Sequence, residues 1–161
     1  MGMISDTEMA AISIKPASTV DLPAIIKLLA ESELPQAGVG DHLATALVAH
    51  AGGEVIGCAA LEIHGTAALL RSVAVAVTYR GQGLGQTLTQ ATLALARQQG
   101  ITHLYLLTET AANFFLKFGF QPVDRSQVSP AVQNSIEFTT LCPASALAME
   151  LRLDQVDPTV G

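Results

Sequence analysis

The chain has 161 residues; half of them are hydrophobic, 14% are charged, and the formal net charge is −6. That length predicts one domain over residues 1–161, structured over about 11–153, with a substantial core. Nucleic acids and anionic membranes both attract clustered Lys and Arg, so the acidic balance and the scattered basic residues exclude them as expected partners. No apolar run approaches a membrane span and no signal sequence is recognisable, so a cytoplasmic protein is expected.

In chain order, the first two elements predicted are an alternating strand over 11–15 and a helix. The helix starts at the capping-box pair Ser18 and Asp21 and ends at a loop over 34–40. Three strands follow, the first two joined by a hairpin at Gly52-Gly53. They are predicted over 46–50, 55–64 and 67–75.

The second half of the chain predicts alternating helices and strands. A long helix is expected over 83–99, with an apolar face formed by Leu84, Leu88, Ala91 and Leu95. A strand over 103–108, a helix over 111–118 and a short strand over 121–124 are predicted next. A helical segment from 129 and a closing strand over 145–153 complete the chain. The order β-α-β-β-β-α-β-α-β-(α)-β predicts a mixed sheet with helices between its strands.

The organising stretch of the chain is 69–85, where a β-branched strand breaks into a glycine-rich turn before the long helix. The turn consists of Arg80, Gly81, Gln82, Gly83, Leu84 and Gly85. Free N–H groups of a first helical turn and glycines that allow close approach predict a pyrophosphate site, with the positive charge of Arg80 at its rim. A dinucleotide fingerprint does not fit because its third glycine position is Gln86, and a P-loop does not fit because no lysine follows the last glycine.

Two motifs resemble the GCN5-related N-acetyltransferases, abbreviated GNAT. Arg80-x-x-Gly83-x-Gly85 resembles their acyl-CoA signature, and the 115–120 segment FLKFGF resembles the aromatic-x-x-x-Gly-Phe sequence after their fifth strand. The resemblance implies the GNAT fold, an α/β (α+β) fold with a mixed, mostly antiparallel sheet of about seven strands and helices on both faces. It also implies acetyl-CoA as co-substrate and direct acetyl transfer to an amine in a ternary complex.

A finer resemblance covers about residues 51–149. The segments LLRSVAV, LYLLTETAANFF and EFTTLCPASALAM look like the arsenic-resistance type of GNAT N-acetyltransferase. This resemblance implies a small-molecule amine as acceptor, such as a toxic amino acid analogue or an arsenic-related compound. The alternatives are a peptide or protein amine as acceptor, or an acyl-CoA sensor without catalysis. A homodimer is compatible with the family.

The resemblance also assigns the cofactor-binding positions. It implies that the backbone of Val73 and Val75 pairs with the pantetheine arm, and that the N–H groups of 81–85 hold the pyrophosphate beside Arg80. Thr108 stands where an asparagine is usual, and its hydroxyl could bond the pantetheine amides. Phe115 stands where the family usually has the tyrosine that protonates the leaving thiolate, so the sequence departs from the family at this position.

The sequence offers several candidate catalytic residues. Glu62, His64 and Glu109 are candidates for the base, and the first two share one strand face by their spacing. Arg71 either pairs with Glu62 or Glu109, or binds a carboxylate of the acceptor through its guanidinium fork. Tyr105 could replace the missing acid, although core packing is the simpler interpretation.

The two cysteines, Cys58 and Cys142, are far apart and belong to no CxxC or Cys/His cluster. No metal site is therefore expected, and both thiols are interpreted as reduced, buried small hydrophobes. Contact of Cys142 with arsenic is a weaker alternative, because a single thiol beside a proline is a poor ligand set.

Overall fold

A computed structural model of the chain describes residues 12–135 and 146–153. Within them the strands are β1 Ser13–Pro16, β2 Ala46–Ala51, β3 Glu54–His64, β4 Ala67–Val75, β5 His103–Thr108, β6 Gln121–Pro122 and β7 Leu147–Arg152. The α-helices are α1 Leu22–Glu31, α2 Leu84–Gln98, α3 Ala112–Leu116 and α4 Pro130–Gln133. Short 3-10 segments are Thr19–Asp21, Val39–Thr45, Val77–Tyr79 and Arg125–Gln127.

The seven strands form one sheet in the order β1-β2-β3-β4-β5-β7-β6. Four of the neighbouring pairs, β1–β2, β2–β3, β5–β7 and β7–β6, are antiparallel. β4 and β5 are parallel, in register from Ala67 opposite His103 to Leu69 opposite Tyr105. The predicted mixed, mostly antiparallel sheet of about seven strands is therefore confirmed.

The described residues divide into two compact units. The first comprises the described residues up to 61 together with 72–93, and the second comprises 62–71 and the described residues from 94 onwards. In the first unit, the apolar face of α1 packs against the 3-10 segment Val39–Thr45 and against β2. The residues in this contact are Ile25, Leu28, Leu29, Val39 and Val48. In the second unit, β4, β5 and β7 pack against the segment that carries α4, through Leu69, Tyr105, Val128, Val132 and Ala148.

The hairpin between β2 and β3 follows the sequence closely. Gly52 and Gly53 both have positive φ, 58° and 84°, as a two-residue turn of this kind requires. Ala51 pairs with Glu54 directly across it. The predicted hairpin is confirmed at the residue level.

Several predicted elements differ in extent. The helix predicted over 111–118 covers only Ala112–Leu116, and the strand predicted over 121–124 covers only Gln121–Pro122. The loop predicted over 34–40 leads into a 3-10 segment, because Val39 is buried against α1 and packing orders the chain there. Ala11, Cys142 and Ser145 lie outside the described residues.

The long helix buries a different set of residues from the one predicted. Leu84 and Leu88 are buried as expected, whereas Ala91 and Leu95 are only half-buried. The other buried positions of this helix are Thr89, Thr92, Leu93 and Ala96. A hydrophobicity pattern does not select the two threonines among them. Among the residues that the structure describes, no helix combines the length and apolar character needed to cross a membrane.

Candidate functional site

The glycine-rich turn lies between β4 and α2 in the first unit. Gly81 and Gly83 have φ of 79° and 86°, in the left-handed region that residues with a Cβ atom rarely adopt. A Cβ atom built on either glycine would meet nothing within 4 Å, so space over both residues is open. Because α2 starts at Leu84, the N–H groups of its first turn have no acceptor within the helix. This combination suits a phosphate group.

Arg80 is exposed at the start of this turn. Its Nε donates to the carbonyl of Val75, at 2.9 Å, and one terminal nitrogen lies 3.4 Å from Oγ of Ser32. A guanidinium has five N–H donors, so these contacts fix the side chain and leave other donors for a ligand. The predicted positive charge therefore lies at the rim of the turn, and the side chain also ties the end of β4 to the turn.

Gly57, in the middle of β3, sets the distance between the sheet and α2. A Cβ atom at this position would lie 2.7 Å from Cδ1 of Leu88 and 3.3 Å from the carbonyl oxygen of Ala74. Because Leu88 is fully buried, α2 can approach the sheet this closely only over a glycine. The N-terminus of α2, which ends the glycine-rich turn, is thereby held close to β3.

Ser72 lies inside β4, is buried and has a φ of 61°, in the left-handed region. The thiol of Cys58 donates to the carbonyl of Ser72, at 3.1 Å. Burial raises the pKa of the Cys58 thiol to about 12, so it stays protonated and acts as a donor. The predicted burial of Cys58 is confirmed, and its contact supports the backbone just before Val73 and Val75.

Glu62, His64 and Arg71 are brought together in the second unit. Oε1 of Glu62 accepts from a terminal nitrogen of Arg71 at 2.9 Å, and Oε2 lies 2.7 Å from Nε2 of His64. The side chains of Arg71 and Glu62 are 0% and 5% exposed, whereas that of His64 is 26% exposed. Of the two readings of Arg71, the geometry favours the one in which it pairs with Glu62.

Glu109 and Thr108 lie at the end of β5. Glu109 is exposed, in the turn between β5 and α3. The hydroxyl oxygen of Thr108 accepts from the N–H of Ala111 at 2.9 Å, so it closes the turn before α3. The hydroxyl hydrogen of Thr108 remains available to donate.

Two aromatic residues were candidates for roles near the leaving group. Phe115 is buried, with its ring 5.0 Å from Phe114 and 5.8 Å from Phe120, both edge to face. Tyr105 is buried, and this burial together with the carboxylate of Glu150 raises its pKa. A phenol that is harder to ionise is a poorer acid, so the core interpretation of Tyr105 is favoured.

Sequence patterns did not predict the roles of Gly57 and Ser72. An isolated glycine inside an apolar strand is a signal of close backbone approach, and it could have indicated Gly57. No local signal marks Ser72, because serine has no preference for positive φ. In the part of the chain that the structure describes, His, Cys, Asp and Glu side chains form no group of three or more that could hold a metal ion.

The sequence matches a protein-family model described as an acetyltransferase (GNAT) domain over residues 42–122, which is half of the chain. An uncharacterized N-acetyltransferase of Chlorobaculum tepidum is 29% identical over 86 residues, covering 53% of this chain and 55% of that protein. The chain thus spans about half the length of this curated relative.

Solved structures share the fold. The N-acetylglutamate synthase of Neisseria gonorrhoeae, complexed with coenzyme A and N-acetyl-glutamate, superposes with a TM-score of 0.76 at 22% identity, covering 89% of this chain and 35% of its own. Ard1 of Thermoplasma volcanium superposes with a TM-score of 0.70 at 22% identity, covering 90% of this chain and 99% of its own. At such identities the likeness concerns the fold alone, and it confirms the predicted topology.

Proposed function

This chain belongs to the GNAT acetyltransferase family, and on that premise we propose that it transfers an acetyl group from acetyl-CoA to the amine of a small molecule. When bound, acetyl-CoA supplies an acetyl group activated as a thioester. In the overall exchange an amide C–N bond forms and the thioester C–S bond breaks. The ammonium form of the amine loses two protons: one ends on the thiol of coenzyme A, and the other is released. Transfer is direct, within a ternary complex.

The observation that carries the proposal is the geometry of the glycine-rich turn. Two glycines with positive φ, open space over both and the start of α2 form a concave set of N–H groups. Residues 81–85 hold the pyrophosphate through these N–H groups, and Arg80 adds a permanent positive charge. Val73 and Val75 offer their backbone to the pantetheine arm, with Ser72 and Cys58 supporting that part of β4.

The acceptor in this proposal is an amino acid analogue, as in the arsenic-resistance type of the family. Support comes from the segments LLRSVAV and LYLLTETAANFF, which the fold itself does not require. The N-acetylglutamate synthase that shares this fold was solved with N-acetyl-glutamate, an acetylated amino acid. Arsenic-related amines are therefore the first compounds to include in an acceptor screen, beside ordinary amino acids.

The experiment that tests cofactor binding compares two glycine variants by calorimetry with coenzyme A. Gly83→Ala should weaken binding by about tenfold, because the left-handed conformation costs a residue with a Cβ about 1–2 kcal/mol and the turn distorts to avoid it. Gly100→Ala is the matched control, since Gly100 has a φ of 78° and open space but follows the other end of α2. Equal affinities for the two variants would remove the turn from the binding site.

Turnover is tested by the release of thiol from acetyl-CoA with a panel of amino acids, amino acid analogues and peptides. Release with single amino acids or analogues supports the proposed acceptor class, and release with peptides alone favours a peptide or protein amine. Tight binding of coenzyme A without release for any amine favours an acyl-CoA sensor. Phe115 motivates that last alternative, because it lacks the hydroxyl that usually protonates the thiolate.

A further inference from the structure

Glu62 joins a buried cation to a partly exposed imidazole. Its two carboxylate oxygens are used separately, one for Arg71 at 2.9 Å and the other for His64 at 2.7 Å. Arg71 is fully buried and always charged, so it stabilises the ionised carboxylate and holds it in one orientation. Only His64 among the three has substantial exposure, 26% of its side chain.

The contact with Glu62 determines which nitrogen of His64 is basic. An ionised carboxylate only accepts hydrogen bonds, so Nε2 must carry a hydrogen and donate it. In the neutral imidazole the remaining nitrogen, Nδ1, then has the free lone pair.

We propose that His64 is the base that removes a proton from the acceptor's ammonium group, with Glu62 and Arg71 as the residues that position it. This inference rests on the proposed function. In the step, an N–H bond of the ammonium group breaks, an Nδ1–H bond forms, and the freed nitrogen lone pair becomes the nucleophile. The imidazolium later returns its proton to water through the exposed side of the ring. In the sequence of β4, Arg71 comes two residues before Val73, the first residue assigned to the pantetheine arm.

The kinetic test uses two acceptors that differ in whether the amine is protonated at pH 7. Benzylamine is protonated and needs a base, whereas aniline is neutral and does not. His64→Gln keeps a donor for Glu62 but has no basic nitrogen, so it should lower kcat with benzylamine by about 100-fold or more and leave kcat with aniline almost unchanged. His103→Gln is the matched control, because His103 is also half-buried and its Nδ1 lies 3.0 Å from Oγ1 of Thr102.

Equal losses with both acceptors, or no loss with benzylamine, would overturn the assignment. Added imidazole should restore the rate of His64→Ala with benzylamine, which a purely structural role would not allow. If the wild-type protein released no thiol with any amine, the proposed function would fail instead.

A measurement without any acceptor tests the same assignment. The ring nitrogens of His64, identified by the signal that His64→Gln lacks, should show the Nε2–H tautomer in a ¹⁵N NMR spectrum at high pH. Finding the Nδ1–H tautomer would overturn the proposal, because Nδ1 could then accept no proton.

Discussion

Arg71 is a residue whose role the sequence left between two readings. Its guanidinium is fully buried and lies 2.9 Å from the carboxylate of Glu62, so the two side chains neutralise each other's charge within the protein. Removing one member of a buried ion pair leaves the other charge without compensation, which costs far more than an exposed pair contributes. The residue is therefore expected to act on stability and, through Glu62, on His64.

Arg71→Met should lower the free energy of unfolding by about 3–5 kcal/mol, as expected for a broken buried pair. Urea unfolding measures this loss, and Arg97→Met, at an exposed position of α2, should change stability by less than about 0.5 kcal/mol. An acceptor-binding Arg71 would behave differently. Its loss would leave stability near that of the wild type while abolishing any preference for acceptors with a carboxylate.

At the scale of elements, the contact between β3 and α2 decides where the glycine-rich turn lies. Gly57 permits the contact and Leu88 fills it, so the position of the N-terminus of α2 depends on two residues far apart in sequence. A small change in this contact would move the turn without altering any residue in it.

Gly57→Ala should destabilise the protein by about 1–3 kcal/mol, since its Cβ atom would lie 2.7 Å from Leu88. It should also weaken coenzyme A binding. Leu88→Ala removes the clashing atom, so the double variant should lose less stability than the two single losses predict. Gly40→Ala is the control, because the new Cβ atom would make an ordinary contact at 3.4 Å. Additive losses in urea unfolding would contradict this account.

The 3-10 segment Thr19–Asp21, which leads into α1, is held by the side chain of Asp21. The carboxylate of Asp21 accepts from the N–H and hydroxyl of Ser18, at 2.9 and 3.2 Å, and from Nε2 of His50 at 3.0 Å. Burial raises the pKa of Asp21, but these hydrogen bonds and the attraction to His50 lower it more, so the pKa falls below its ordinary value of 3.8. The ionised form is thus favoured by folding.

Asp21→Asn should therefore cost about 1 kcal/mol of stability at pH 7, as the loss of a helix cap does. A carboxyl group with a lowered pKa contributes fully above its ordinary value of 3.8 and loses that contribution as the pH falls below 3.8 and through the lowered pKa of the folded state. The difference between wild type and variant in urea unfolding should accordingly shrink as the pH falls below 3.8. A difference that stayed constant would assign the effect to packing, and the exposed Asp41→Asn serves as the control.

For the molecule as a whole, ligand binding should appear as stabilisation. Coenzyme A at 100 times its dissociation constant should raise the free energy of unfolding by about 2.7 kcal/mol. For a chain of this size that corresponds to a rise in Tm of roughly 5–10 °C. Adenosine lacks the pyrophosphate and should give a much smaller shift in the same thermal scan. Equal shifts would show that the turn contributes nothing to binding.

Much of the fold could be predicted from the sequence because its signals are local. Continuous apolar runs set the limits of β4 and β5, the glycine pair set the β2–β3 turn, and the glycine pattern after β4 indicated both the turn and the family. Single-domain organisation stays a prediction. Short elements such as α3 and β6 were predicted too long, because packing decides where such marginal segments end.

In the candidate site, too, the sequence determined the local features and the tertiary structure decided the contacts between elements. Sequence alone determined which residue types are present and that Glu62 and His64 share a strand face, since that follows from a period of two. Only the tertiary structure decided that Arg71 bonds Glu62, that Gly57 receives Leu88 and that Cys58 supports Ser72. Each of these contacts joins residues from different elements, and their distances depend on how closely those elements pack, which no local pattern of residues encodes.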